Sequence, residues 1–193
     1  MENAFQRVRD ELERMGRAVG RCPFRTNYHI IPPVGWLNDP NGLCQFRGVF
    51  HAYFQYSPLN VHGGGGYWGH CVSSDLLCWE YREPVLAADT PEDRSGVYSG
   101  SALVETDRMY LFYTGNVKLP GDYDYIDAGR ISTQLLVESG DGQQMSPKEK
   151  ILGTEDYPAD ITEHVRDPKV WSEDGRYYMV LGARKKGDKG CVL

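Results

Sequence analysis

The chain has 193 residues, 21 Lys and Arg against 27 Asp and Glu, and a formal net charge of −6. That balance disfavours nucleic acid or an anionic membrane as the main partner, because either needs a basic surface. With 22 Gly, 11 Pro, 13 Tyr, 6 Phe and 4 Trp, the composition suits short strands joined by tight turns, and the fold class is read as all-β.

In residues 2 to 17, Phe5, Val8, Leu12 and Met15 recur at three- and four-residue steps with charges between them. This predicts an amphipathic helix ending near Gly16 or Gly20, packed on the body of the protein through its apolar stripe. Residues 1–26 are read as a helical arm and 27–193 as the body. The opening is too charged for a signal peptide and no apolar run reaches a membrane span, which predicts a cytoplasmic protein. Cys22, Cys44, Cys71, Cys78 and Cys191 are odd in number and form no CxxC pair, so they are read as reduced, packed thiols, with no metal site and no cofactor implied.

The stretch "GWLNDPNG", Gly35 to Gly42, places Trp36, Asn38 and Asp39 before Pro40-Asn41-Gly42, which reads as turn chemistry. It opens a pattern of strand, turn and aromatic strand that recurs three times: "NDPNGLCQFRGVFHAYFQY", "YSGSALVETDRMYLFYTG" and "VRDPKVWSEDGRYYMVLGA". The turns, at Arg47-Gly48, Asp107-Arg108 and Asp174-Gly175, recur about every 60 to 70 residues, a spacing that fits large four-stranded propeller blades. Asp39, Ser99 and Asp167 stand at matching distances before their turns and so begin equivalent strands. Inner strands line a propeller's channel, so the three are predicted to converge at one mouth. Two carboxylates beside Trp36, Trp68 and Tyr98, with Asn38, Gln55 and Arg166 as hydrogen-bonding groups, point to a sugar site. His70 and His164 are read as structural. The acidic run Asp122 to Asp127 is read as a solvated loop, and Gly63 to Gly66 as a flexible one.

The motifs "HIIPPVGWLNDPNG", "FQYSP", "YWGH", "VYSGSA", "MYLFYTGN" and "VRDPKVW", in this order, resemble the N-terminal half of glycoside hydrolase family 32, the family of invertases and sucrose-6-phosphate hydrolases. The resemblance implies a five-bladed β-propeller, of which roughly the first three blades are present. It implies retaining hydrolysis of the β-fructofuranosidic bond of sucrose, sucrose 6-phosphate or a short fructan. Asp39 would be the nucleophile, and Asp167 would hold fructose hydroxyls and stabilise the transition state. Trp36, Asn38, Gln55, Tyr98 and Ser99 would bind the sugar, and Arg166 would help keep Asp167 ionised; Trp68 in "YWGH" is read either as a sugar-binding aromatic at the pocket rim or as one that fills a blade core. The loop "HGGGGYWGH" is similar to the sucrose-6-phosphate hydrolase branch. The family's acid/base Glu, in a Glu-Cys-Pro motif, has no match before Leu193, and Glu163 does not correspond to it. The expectation is therefore an incomplete enzyme that is inactive alone, with a non-catalytic fructoside-binding chain as the alternative.

Overall fold

The computed structural model describes residues 2–26, 28–64, 66–187 and 189–193. Asn27, at the expected boundary between arm and body, and Gly65 of the glycine loop lie outside the described residues. Among the described residues, one α-helix precedes eleven strands arranged in three antiparallel sheets. The first sheet runs β1 (Trp36–Phe46), β2 (Val49–Ser57), β3 (Tyr67–Ser73), β4 (Glu80–Ala87). The second runs β5 (Val97–Glu105), β6 (Arg108–Lys118), β7 (Arg130–Ser139), β8 (Glu149–Leu152). The third joins β9 (Ile161–Glu173), β10 (Arg176–Lys185) and β11 (Lys189–Val192). Each sheet is a meander in chain order, and the first strands of successive sheets pack together, β1 on β5 and β5 on β9.

The hairpin turns explain why the sequence folds back where it does. Arg47-Gly48 and Asp174-Gly175 carry positive φ at both positions, 50° and 81°, then 51° and 72°, the conformation that matches the right-handed twist of the flanking strands. The second turn falls on Thr106-Asp107, one residue earlier than the sequence suggests, because Arg108 already pairs with Glu105.

The helix α1 (Glu2–Gly20) lays Val8 and Leu12 on Ala52, Phe54, Tyr56 and Cys71 of the first sheet. Tyr67 Oη donates to the Ala4 carbonyl at 3.2 Å and Arg9 pairs with Glu83 at 2.9 Å. The central core lies between the first two sheets: Phe46, Tyr53, Trp68, Val85 and Leu86 meet Val97, Met109, Leu111, Tyr113, Leu135 and Val137. No helix among the described residues is long and apolar enough to cross a membrane.

Two polar networks tie the second sheet to the first. Lys148 Nζ lies 2.5 Å from Asp93, 2.6 Å from Asp89 and 2.6 Å from the Ala87 carbonyl. The fully buried Asp93 also accepts from Tyr113 Oη at 3.0 Å and from the Thr90 hydroxyl and N–H at 2.9 Å. Removing the cation leaves a buried charge short of its partner. Lys148→Met is expected to destabilise the fold by about 3–5 kcal/mol, read as a lowered midpoint in urea denaturation.

The second network stacks His51, Tyr53 and His70. His51 Nδ1 and His70 Nε2 are 3.0 Å apart, His70 Nδ1 is 3.0 Å from Gln143 Oε1, and Tyr53 Oη donates to the Gly142 carbonyl at 2.7 Å. Burial pushes the His70 pKa down to about 4; its Gln143 bond opposes this, and nearby His51 and Arg82 add to it. The unfolded chain therefore takes up a proton near the ordinary pKa of 6.5 and the folded chain only near 4. Stability is intact above 6.5 and falls between 6.5 and 4, by up to about 3 kcal/mol. Thermal melts across that range are expected to show the loss, with a smaller slope in His70→Gln.

Candidate active site

The "NDPNG" stretch does not form a turn. All of it lies inside β1, where two irregularities each set three residues of β1 against two of β2, between Leu37 and Pro40 and between Asn41 and Cys44. Proline lacks an N–H for the ladder, and a bulge is a place where that is tolerated. Gly42 supplies the positive φ of 52°, and a Cβ there would meet the Tyr53 ring at 2.8 Å. The first bulge holds Asn38 and Asp39.

The same device recurs in the other two sheets. Between Val97 and Gly100, three residues of β5 oppose two of β6, and the bulge holds Tyr98 and Ser99. Between Arg166 and Lys169, three residues of β9 oppose two of β10, and the bulge holds Asp167 and Pro168. Bulges re-aim side chains out of the alternation of a strand. Here they turn Asp39, Ser99 and Asp167 into one cleft of about 610 Å³, which Trp36, Asn38, Gln55, Tyr98 and Arg166 also line.

Direct bonds fix the arrangement. Ser99 Oγ donates to Asp39 Oδ2 at 2.6 Å and Asn38 Nδ2 to Asp39 Oδ1 at 3.2 Å. The buried Asn41 accepts the Gly100 N–H at 3.3 Å, locking β1 to β5. Gly100 has no room for a side chain, since a Cβ would stand 1.9 Å from the Phe112 carbonyl oxygen. Asp167 adopts a left-handed φ of 60°, a conformation Asp tolerates better than most residues. Its N–H donates to Thr114 Oγ1 at 3.1 Å, and that hydroxyl donates to Gln134 Oε1 at 2.7 Å in the core. Desolvation raises the Asp167 pKa, Arg166 with its Nε 3.7 Å away opposes the rise, and Asp39 adds to it.

Trp68 is a correction to the sequence reading. It is 0% exposed and lies beneath the cleft, its Nε1–H donating to the Tyr98 carbonyl at 3.0 Å. It holds the bulge from below and forms no part of the wall. Gln55 does similar work, donating to the Val97 carbonyl at 2.7 Å while also lining the cleft. Trp36, 44% exposed, supplies the aromatic wall. Glu163 is turned away: its carboxylate accepts the Arg130 backbone N–H, and it does not line the cleft. Asp124 uses Oδ1 to accept the N–H groups of Ile126 and Asp127 at 2.8 and 3.0 Å, which folds the acidic loop on itself. Sequence reasoning missed Ser95 and Lys118, which line the same cleft. Lys118 ends β6 just after "YTGN", and only the strand register reveals that this end reaches the mouth.

The family model for the glycosyl hydrolases family 32 N-terminal domain matches residues 29–193. A sucrose-6-phosphate hydrolase of Bacillus subtilis is 40% identical over 188 residues, covering 97% of this chain and 37% of that protein. A raffinose invertase of Escherichia coli is 41% identical, covering all of this chain and 39% of the relative. The chain thus spans well under half the length of these curated relatives. Among solved structures, a sucrose-6-phosphate hydrolase from Lactobacillus gasseri superposes with a TM-score of 0.79 at 34% identity, over 92% of this chain and 35% of that one. A mutant Bombyx mori beta-fructofuranosidase in complex with sucrose gives 0.82 at 32% identity, over 100% and 39%. With a family model matched from residue 29 to residue 193, the chain belongs to glycosyl hydrolase family 32, as its N-terminal domain.

Proposed function

We propose that this chain is the N-terminal part of a retaining β-fructofuranosidase that cleaves sucrose or sucrose 6-phosphate. The observation that carries the proposal is the Ser99–Asp39 hydrogen bond of 2.6 Å, set in the same bulge-built cleft as Asp167. Each of the three residues comes from the first strand of a different sheet. The relatives' names, sucrose-6-phosphate hydrolase and raffinose invertase, support the substrate class.

In this reading the Asp39 carboxylate attacks the anomeric carbon of the fructosyl unit. The bond to the leaving oxygen breaks as a general acid protonates it, and water then hydrolyses the fructosyl ester. Ser99 and Asn38 hold the attacking carboxylate at a fixed angle, a pre-organisation that lowers the entropic part of the barrier. Asp167, ionised, faces the positive charge that develops on the sugar ring. Trp36 stacks on the sugar, and Gln55, Tyr98 and Arg166 direct its hydroxyls. The carboxylates lining the cleft among the described residues are Asp39 and Asp167, and this reading assigns the general acid to neither of them. The remaining blades would close the ring, five in all, over roughly 300 residues. That same lack of a third carboxylate favours one second reading, a chain that binds fructosides without cleaving them.

Two measurements test the proposal in the protein produced from its whole coding sequence. Asp39→Asn is expected to lower glucose release from sucrose by about 10³-fold or more, as expected for loss of a covalent nucleophile, with sucrose binding retained. Near-normal turnover in this variant overturns the nucleophile assignment. A wild-type protein that binds sucrose without releasing glucose favours the second reading. The pH profile tests Asp167. Arg166 holds its pKa down against desolvation, so Arg166→Gln lets it rise. The acidic limb of kcat is expected to move to higher pH in that variant, and an unmoved limb removes Asp167's charge from the transition state.

A further inference from the structure

Asp167 holds its left-handed φ of 60° at the bulge of β9. A residue other than glycine persists in that conformation where its surroundings over-determine it. A chain of hydrogen bonds through the core beneath the bulge supplies that determination.

The chain runs in one direction only. Its far end is the Ser132 carbonyl, which can only accept, and it takes the Tyr157 Oη–H at 3.1 Å. With its one proton committed, Tyr157 Oη accepts from Gln134 Nε2 at 3.0 Å. That orients the Gln134 amide and turns its Oε1 to Thr114, so the Thr114 hydroxyl has to donate, at 2.7 Å. Thr114 Oγ1 is left with lone pairs alone, and it accepts the Asp167 N–H at 3.1 Å. Burial raises the Tyr157 pKa against the opposing Gln134 bond, which keeps the anchoring proton in place near neutral pH.

Thr114 and Gln134 are each 0% exposed and face each other directly across the β6–β7 ladder. Solvent therefore does not stand in for a lost member. Gln134 Nε2 also reaches the Val165 carbonyl at 3.4 Å. One amide thus holds β9 at Val165 directly and at Asp167 through Thr114, on either side of Arg166.

We propose that Thr114 and Gln134 are positioning residues for the reaction, setting where the Asp167 carboxylate stands relative to Asp39, with their effect on the transition state and not on sucrose binding. The proposal rests on the sucrose-cleaving reading of the cleft. Neither side chain lines the cleft; both act through the backbone of Asp167. A carboxylate that faces developing positive charge is effective when it is already in place, because it then needs no reorganisation as the reaction proceeds. Without the Thr114 hydroxyl, the Asp167 N–H loses its acceptor and the left-handed conformation loses a restraint. A displacement of about 1 Å at a reacting group is enough to cost about 10²-fold in rate.

The test is a double-mutant cycle on glucose release from sucrose, in the protein produced from its whole coding sequence. Thr114→Val keeps the side chain's shape without its hydroxyl, Thr114→Ser keeps the hydroxyl, and Asp167→Asn removes the charge while retaining the N–H. Thr114→Val is expected to lower kcat about 10- to 100-fold with KM within about threefold, and Thr114→Ser to hold kcat within about threefold of wild type. In the Asp167→Asn background, Thr114→Val is expected to cost less than about threefold, because no charge is left to position. Circular dichroism checks the fold of each variant. Gln134→Met, similar in volume and further from Asp167, repeats the cycle independently and is expected to show the same pattern with a loss of about 3- to 10-fold. An equal loss in both backgrounds, or a change confined to KM, overturns the positioning role and leaves the sucrose-cleaving reading standing. Wild-type protein that releases no glucose overturns both.

Discussion

The β-bulge in the first strand of each sheet is the constraint on which the site depends. A regular strand alternates its side chains between faces, and three such strands would present ladders of alternating residues to the centre with no common focus. One extra residue at each of these bulges breaks the alternation at a chosen height. In β1 the extra residue comes with Asp39, in β5 with Ser99 and in β9 with Asp167. The bulges then need support, since each leaves backbone groups out of the regular ladder. Trp68 and Gln55 supply it to β5, Thr114 to β9, and Asn41 ties β1 to β5. Fully buried Trp68, Thr114 and Gln134 thus belong to the core by location and to the site by what they hold.

This arrangement explains which parts of the site were legible in the sequence. The strand–turn–strand repeat recurs at nearly constant spacing, and the side-chain period of a strand is fixed, so Asp39, Ser99 and Asp167 could be aligned by counting. Trp36 and Tyr98 were legible for the same reason, as neighbours of those positions. The bulges were not. "DPNG" carries the residues of a tight turn, and the local signal for a turn and for a bulge with a positive-φ glycine is the same; only pairing with Phe54 and Tyr53 tells them apart. Trp68 was left open between rim and core because an aromatic flanked by glycine on a strand packs equally well inward or into a cleft, and strand pairing decides which. Lys118 and Ser95 were missed because their position depends on how β6 aligns with β5 and β7, which no local pattern encodes.

The electrostatics obey the same geometry. Asp167 is desolvated by the walls that shape the cleft, and it stays usable as a carboxylate because the residue before it, at the edge of the same bulge, is Arg166. Placing the cation next in sequence makes their separation a property of the backbone, so it does not depend on the long side chain finding its partner from a distance. The β6–β7 end is different: Lys118 and Arg130 are neighbours through the register, and both find aromatic faces in place of acids.

Ser101 carries the mechanical burden of a site built between sheets. Its hydroxyl donates to the Pro168 carbonyl at 2.8 Å and accepts the Val170 N–H at 3.0 Å, so one small side chain on β5 grips the backbone of β9 just past Asp167. In the described residues the three sheets are separate ladders, and single side chains such as Ser101 and Asn41 set how one wedge leans on the next. The width of the cleft is thereby a mechanical variable. A methyl group added or a hydroxyl removed at one of these rivets acts on the lean of a whole sheet, and so on the separation of the Asp39 and Asp167 carboxylates, without any lining residue being altered.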